Sequence, residues 1–300
     1  MAKKPTISIG ICAFNEERNI GALLGQLSQA DNADGGIPGI SEIIVVSSGS
    51  TDKTDSAAKK FAETDRRIRF IREAERRGKV SAVNIILKQA KGDIIVLCGA
   101  DLQLENGTIR NLIRPFGDPT VGMAGARPVP RNDKTTFMGF CSHMLWDLHH
   151  RVALKSPKCG ELIAIRNKGY SIPESMPVDE AYLEWRVRKG GSKIAYAPQA
   201  IVYNIGPGTI SDYLRQRRRI HAQHIWLRKE TGYAVATSDP SVILSALPSI
   251  LFQSPKSFVF GIGAISLETI SAILGRLDAS VRNEPHKVWD VSESTKVARS

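Results

Sequence analysis

Apolar positions in the first hundred residues switch repeatedly between two spacings. "TISIGICAF" (6–14) is an apolar-rich run of strand length, and "EERNIGALLGQLSQA" (16–30) then sets Ile20, Leu23, Leu24 and Leu27 on one helical face. A Gly/Asp/Pro loop, "DNADGGIPG", leads to the strand pattern "EIIVVSS". The helical pattern "TDSAAKKFAET", the strand "IRFIRE", the helix "KVSAVNIILKQA" and the strand "GDIIVLCGA" follow in turn. Strand and helix alternating at this spacing predict an α/β fold, a mostly parallel sheet flanked by helices. Ligands of such sheets bind beyond the carboxyl ends of the strands. The polar groups there are Asn15 and Glu16, Ser47 to Asp52, and Asp101 with Gln103.

Beyond about Arg127 the pattern loosens. "GELIAIRNKGY" reads as a strand, "DEAYLEWRVRKGG" as a helix closing on Gly-Gly, and "SKIAYAPQAIVYN" as an extended pair. A long basic helix, "TISDYLRQRRRIHAQHIWLRKE", comes next. The tail segments "SVILSALPSILF" and "SFVFGIGAISLETISAILGRL" are apolar but broken by Pro248, Pro255, Lys256 and Glu268. They predict either helices packed on the main domain or an amphipathic pair on a membrane surface. "HKVWDVSESTK" could fold back over the site. The chain divides into residues 1–127, 128–232 and a helical tail, 233–300. No internal repeat is present.

Composition narrows the partners. With 300 residues, 42% of them hydrophobic, the chain can bury a substantial core. Its 41 Lys+Arg against 30 Asp+Glu leave a formal charge of +11, suited to nucleic acid, phosphorylated small molecules or an anionic membrane. None of Cys12, Cys98, Cys141 and Cys159 forms a C-x-x-C pair, which predicts a reducing, cytoplasmic compartment. The start is not a signal peptide, and no uninterrupted apolar stretch reaches the roughly 20 residues of a membrane span.

Several stretches carry chemistry, each beside an ordinary structural reading. "VSSGSTDKTD" offers hydroxyls and backbone N–H groups at a helix start, a phosphate or ribose site or simply an N-cap. "RRGKVSAVN" places Arg76, Arg77 and Lys79 at another helix start, where a lysine can neutralise a diphosphate. In "GADLQ", Asp101 and Gln103 offer two oxygens to a hard cation, or cap a strand end. Asp179 and Glu180 open a helix, and two adjacent carboxylates exceed what a cap requires; one could serve as a general base. In "RQRRRIH", Gln216 and Arg219 share a face. Arg217 and Arg218 point elsewhere, towards an acidic lipid surface on one reading.

In order and spacing, "AFNEERNI", "EIIVVSSGSTDKT", "GKVSAVN", "GADLQ", "VDEAYLEWRVRKGG" and "QRRRI" together resemble the family 2 glycosyltransferases of GT-A fold, from about Ile7 to Gln223. The resemblance implies a nucleoside diphosphate sugar donor, UDP- or GDP-linked, and a divalent metal, Mg²⁺ or Mn²⁺. It also implies an inverting transfer of one sugar to an acceptor, lipid-linked among the choices, with no nucleic-acid partner. It assigns Ala13, Phe14, Asn15 and Glu16 to the nucleotide pocket with Ser47 and Asp52, and sets Lys79 near the phosphates. Asp101 stands as the second acid of a D-x-D motif. Gln103 and Arg127 are similar to residues of the dolichol-phosphate mannose synthase branch, a metal ligand and a phosphate contact. Glu180, or Asp179, is the catalytic base, and Gln216 and Arg219 line the acceptor and diphosphate side. A cytoplasmic enzyme, peripheral on the membrane face, fits this set.

The departures are Ser47-Ser48 for the usual Asp-Asp, Gly99 for the first acid of D-x-D and Ile220 for a tryptophan. Gly99 and Ser47-Ser48 keep open a degenerate non-catalytic nucleotide-sugar-binding or membrane-scaffold protein, and a nucleotidyltransferase on a similar fold is a further alternative.

Overall fold

The computed structural model describes residues 5–29, 39–238, 247–282 and 295. An open sheet of eight strands runs in the order β3-β2-β1-β4-β7-β6-β8-β5. Its first half is parallel: β1 (Ile7–Ala13), β2 (Ile40–Ser48), β3 (Ile68–Glu73) and β4 (Ile94–Gly99) alternate with helices α1 (Ile20–Gln29), α2 (Thr54–Thr64) and α3 (Lys79–Gln89). These central strands are buried on both faces, which is why they read as near-continuous apolar runs. Ile7, Ile9, Ile43 and Val96 pack under α1 and α2, while Ile44, Val46, Ile95 and Leu97 pack under α3.

The second half is mixed. A short β5 (Gln103–Leu104) and α4 (Thr108–Ile113) precede β6 (Val121–Pro130), α5 (Phe137–Lys155), β7 (Ile163–Arg166), α6 (Glu180–Lys189), β8 (Lys193–Asn204) and α7 (Ile210–Thr231). β7 enters between β4 and β6, antiparallel to both, and joins the two halves into one sheet. The stretch expected as an extended pair is a single strand, β8. Its pairing with β6 slips between Ala126 and Arg127, which absorbs Pro198 without ending the strand.

Of the tail helices expected, α8 (Pro248–Leu251) is brief and α9 (Pro255–Leu277) is long. Pro255 occupies the first helical turn, where its missing N–H costs nothing, and the Ser254 hydroxyl accepts from the Ser257 N–H at 3.0 Å. Among the described residues, Pro255–Arg282 is one helical stretch long and apolar enough to cross a membrane, a length the sequence analysis did not anticipate. One face packs on α5 and α7 around Met144, Tyr213 and Ala264. The other exposes Val259, Ile262, Ile270, Ile273, Leu277 and Val281. The loop at 31–38, the segment 241–246 and most of "HKVWDVSESTK" lie outside the described residues.

Arg217 and Arg218 do not face outward, as one reading of the basic helix had it. Arg217 grips Glu268 of α9 through Nε at 2.9 and 3.0 Å and Nη2 at 2.5 Å, and Arg218 pairs with Asp278 just beyond α9. Tyr213 donates to Glu268 at 3.0 Å, and His221 Nε2 stands 2.9 Å from the same carboxylate. Glu268 and Asp278 thus turn inward.

Candidate active site

At the carboxyl edge of the sheet the β1 and β2 loops are laced together. The Asn15 side-chain oxygen accepts from the Thr51 N–H at 2.9 Å, and Asp52 accepts from the Glu17 and Thr54 N–H groups at 3.1 and 2.9 Å. Ser47 is fully buried and donates to Asp55 at 2.5 Å. Asn15, Ser47 and Asp52 therefore brace the loops, while Ala13, Phe14 and Glu16 line a cavity of about 860 Å³. The Arg76 guanidinium lies 3.9 Å from the Phe14 ring centroid. Gly49 lets the second loop pass close: its φ is +67°, and a Cβ there would sit 2.6 Å from the Arg76 nitrogen.

Lys79 opens α3 and reaches across the cavity to α6. Its ammonium lies 3.1 Å from Asp179 Oδ2 and also bonds Glu180 Oε1. Asp179 makes no capping bond although it occupies the N-cap, and is 1% exposed. Burial, with the Glu180 charge next, pushes the Asp179 carboxyl up to about 7 against the pull of Lys79. Burial opposes the Glu180 charge too. There the Lys79 ammonium, with hydrogen bonds from Asp179 and Lys79, prevails and holds the carboxyl below its ordinary range. Lys79 is itself held well above the usual lysine range: burial works against its charge, and Asp179 and Glu180 outweigh it. Glu180 faces the cavity; Asp179 lies behind it.

Asp101, beyond β4, lines the same cavity, and its Oδ1 lies 2.6 Å from where a Cβ on Gly99 would stand. Glu161, ahead of β7, and Asn204, ending β8, complete this wall. Burial first, then the Asp101 charge, raises the Glu161 carboxyl to about 7. Asn204 Nδ2 donates to Glu161 at 3.3 Å, while Asn204 Oδ1 is buried and has no hydrogen-bond partner.

Gln216 and Arg219 also line the cavity. Farther in, the wall includes Lys158, His149, Glu184, Arg217 and His224, set among Met144, Trp146 and Val152. Burial lowers the Lys158 ammonium to about 8 even though Glu184 supports its charge. Glu184 and Glu268 face the Lys158 and Arg217 charges in this part of the cavity, whose sides are apolar.

Lys79, Asp101, Glu180, Gln216 and Arg219 thus come together as the sequence suggested. Gln103 and Arg127 do not join them. The Gln103 side chain accepts from Arg131, and Arg127 acts on His150 and Tyr196. Sequence reasoning missed Glu161, Asn204, Lys158 and Glu184. Among the described residues no three His, Cys, Asp or Glu side chains group as metal ligands. Asp101 and Glu161 still fit a hard divalent cation, which needs few carboxylates when neutral oxygens and substrate phosphates share it.

An eight-stranded mixed sheet flanked by helices, with this cleft at its carboxyl edge, is a GT-A-like fold. The model of "Glycosyl transferase family 2" matches residues 8–178, and the chain belongs to that family. Poly-beta-1,6-N-acetyl-D-glucosamine synthase of Staphylococcus aureus (strain MSSA476) is 25% identical over 237 residues, 72% of this chain and 56% of the relative. Beta-monoglucosyldiacylglycerol synthase of Synechocystis sp. is 28% identical over 136 residues, 44% of this chain and 27% of its own. The chain spans about half the length, or less, of these relatives.

Among solved structures, mannosyltransferase PcManGT from Pyrobaculum calidifontis, in complex with GDP-Man and Mn²⁺, superposes with a TM-score of 0.65. It is 21% identical, and the match covers 94% of this chain and 89% of that one. Glucosyl-3-phosphoglycerate synthase from Mycobacterium tuberculosis, with Mn²⁺, UDP and glucosyl-3-phosphoglycerate, gives 0.52 at 20% identity, covering 77% and 81%. These likenesses show the fold.

Proposed function

We propose that the protein moves one sugar from a UDP- or GDP-linked donor to a lipid-linked acceptor, with inversion, at the cytoplasmic face of an anionic membrane. The observation that carries the transfer is the convergence of Lys79, Asp101 and Glu180, from three separate segments, on one cavity. Residues 1–127 would bind the donor, with the base against Phe14 and Arg76 and the diphosphate near Lys79 and Arg219. Residues 128–232 would hold the acceptor. A Mg²⁺ or Mn²⁺ ion held by Asp101 would offset charge on the leaving diphosphate.

Glu180 faces the cavity and is kept ionised, so it is the group to take the acceptor's proton. As the acceptor oxygen bonds to the anomeric carbon, the bond from that carbon to the β-phosphate oxygen breaks. The proton passes to Glu180, and nucleoside diphosphate leaves with its charge met by Lys79 and Arg219. Asp179 stays behind as an anchor for Lys79. Support for a lipid acceptor comes from α9. Its inner face walls the cavity, its outer face is an apolar stripe, and its exposed charges, Lys256 and Arg276, are basic.

Product analysis with UDP- and GDP-sugars and a polyprenyl phosphate or diacylglycerol acceptor tests the proposal. Free nucleoside diphosphate and glycosylated lipid are expected, and Asp101→Ala should abolish both. Pyrophosphate release would instead indicate nucleotidyl transfer. Donor binding without turnover on any acceptor would mark a non-catalytic binder.

A further inference from the structure

The geometry points to Glu161 as the second carboxylate of the cation site, facing Asp101 from the neighbouring strand, with the Asn204 side-chain oxygen as a third ligand. The inference rests on the proposed donor site and goes beyond it. A D-x-D pair would draw both acids from one strand end, at 99 and 101, but 99 is glycine. β4 and β7 pair antiparallel with Ile95 opposite Ile165 and Leu97 opposite Ile163. Glu161 lies in the bend two residues ahead of β7, and continued that far the same register would bring it opposite Gly99. Residues directly opposed in an antiparallel pair project to the same face with Cβ positions about 5 Å apart. On that register a carboxylate from the segment ahead of β7 would stand where the glycine has no side chain, and Asp101 and Glu161 do line the same cavity. The missing side chain also leaves room for Asp101 to lie back over residue 99, towards that strand.

Asn204 is the independent observation. It is 6% exposed, its nitrogen is engaged by Glu161, and its oxygen has no donor. A buried acceptor left unmet costs about 1–3 kcal/mol. A hard cation meets that need, because carboxylate and amide oxygens are the ligands it prefers. The segments after β4 and ahead of β7 and the end of β8 thus bring two carboxylates and an amide oxygen to one wall of the cavity. That matches a divalent ion and leaves its remaining positions for a diphosphate.

The test is Mn²⁺ binding followed by electron paramagnetic resonance of the free ion, with the full chain, with Mn²⁺ alone and with UDP or GDP added. Glu161→Gln should weaken Mn²⁺ at least about tenfold, because a full charge at contact distance is removed, and Asn204→Ala should weaken it less. Gly99→Asp placed in the Glu161→Gln background should recover most of the loss by returning a carboxylate from the other strand. Asp101→Asn is the reference. If it loses Mn²⁺ while Glu161→Gln and Asn204→Ala bind as the wild type does, this inference is overturned and the donor site stands. If Asp101→Asn also binds normally, the donor-site reading falls with it. Should Glu161→Gln fail to fold, unchanged Mn²⁺ affinity in Asn204→Ala alone overturns the three-oxygen site.

Discussion

Replacing Lys79 with methionine keeps the length of the side chain and removes the charge between Asp179 and Glu180. At 3.1 Å and an effective dielectric of about 20, the Lys79–Asp179 attraction alone is roughly 5 kcal/mol. Desolvation cancels part of that, and deleting one partner of a buried pair typically costs about 3–5 kcal/mol. The cost should depend on pH. Asp179 is raised to about 7, so the folded chain keeps that proton to a higher pH than the unfolded chain does. Its contribution is full below the unfolded value and is lost as pH rises through about 7. Without Lys79 the loss deepens. Below that range Asp179 is neutral with or without its partner, and only the Glu180 bond is missing. Guanidinium unfolding followed by tryptophan fluorescence should therefore show Lys79→Met destabilised by about 3–5 kcal/mol near pH 8. Near pH 5 the cost should be smaller by at least about 1.4 kcal/mol, one pKa unit's worth. An equal penalty at both pH values, or a larger one in acid, would refute the reasoning.

Glu180→Gln should lower kcat on the order of 10²–10⁴-fold with little change in donor affinity, measured by initial rates and donor calorimetry; an unchanged kcat removes Glu180 as the base. Glu268→Gln should loosen α9 by about 1–3 kcal/mol, seen as faster hydrogen exchange along 255–282, because the half-buried Arg217 then loses its charged partner. Burial opposes the Glu268 charge, but Arg217 and His221 hold its carboxyl far below the ordinary range. The stability it gives is present above the unfolded value and lost as pH falls towards the folded one, so the wild-type helix should loosen in acid too. A paired change of Ile262 and Ile273 to glutamate should cut co-sedimentation with anionic vesicles, and wild-type binding should weaken as salt rises; equal recovery in the supernatant with and without vesicles would dismiss a membrane face.

The parallel half of the sheet was legible because strands buried on both faces write themselves as apolar runs, and helices such as α1 expose their spacing directly. Val121–Pro130 hid its strand behind Gly122, Gly125, Pro128 and Pro130. In α5, histidines and an aspartate interrupt the apolar face. The site divides in the same way. Lys79, Asp101 and Glu180 sit at element starts or strand ends, where sequence reasoning looks. Glu161 and Asn204 are lone polar residues whose meaning depends on which strands lie side by side. Arg217 and Arg218 could not be placed from local pattern, since their partners lie 51 and 60 residues away along the chain. Gln103 was expected with Asp101 at the carboxyl end of β4, but it opens the separate short strand β5, and Arg131 takes its side chain.

Helix α9 is a partition with chemistry on one side and an oily surface on the other. On the proposed reaction its two substrates then approach from different phases. The sugar nucleotide enters from water past Phe14 and Arg76, while the acceptor slides in along the edge of the partition with its hydrocarbon still in lipid. Only the acceptor's head would need to pass Glu268 and Arg217 to meet Glu180, so its tail could be of any length.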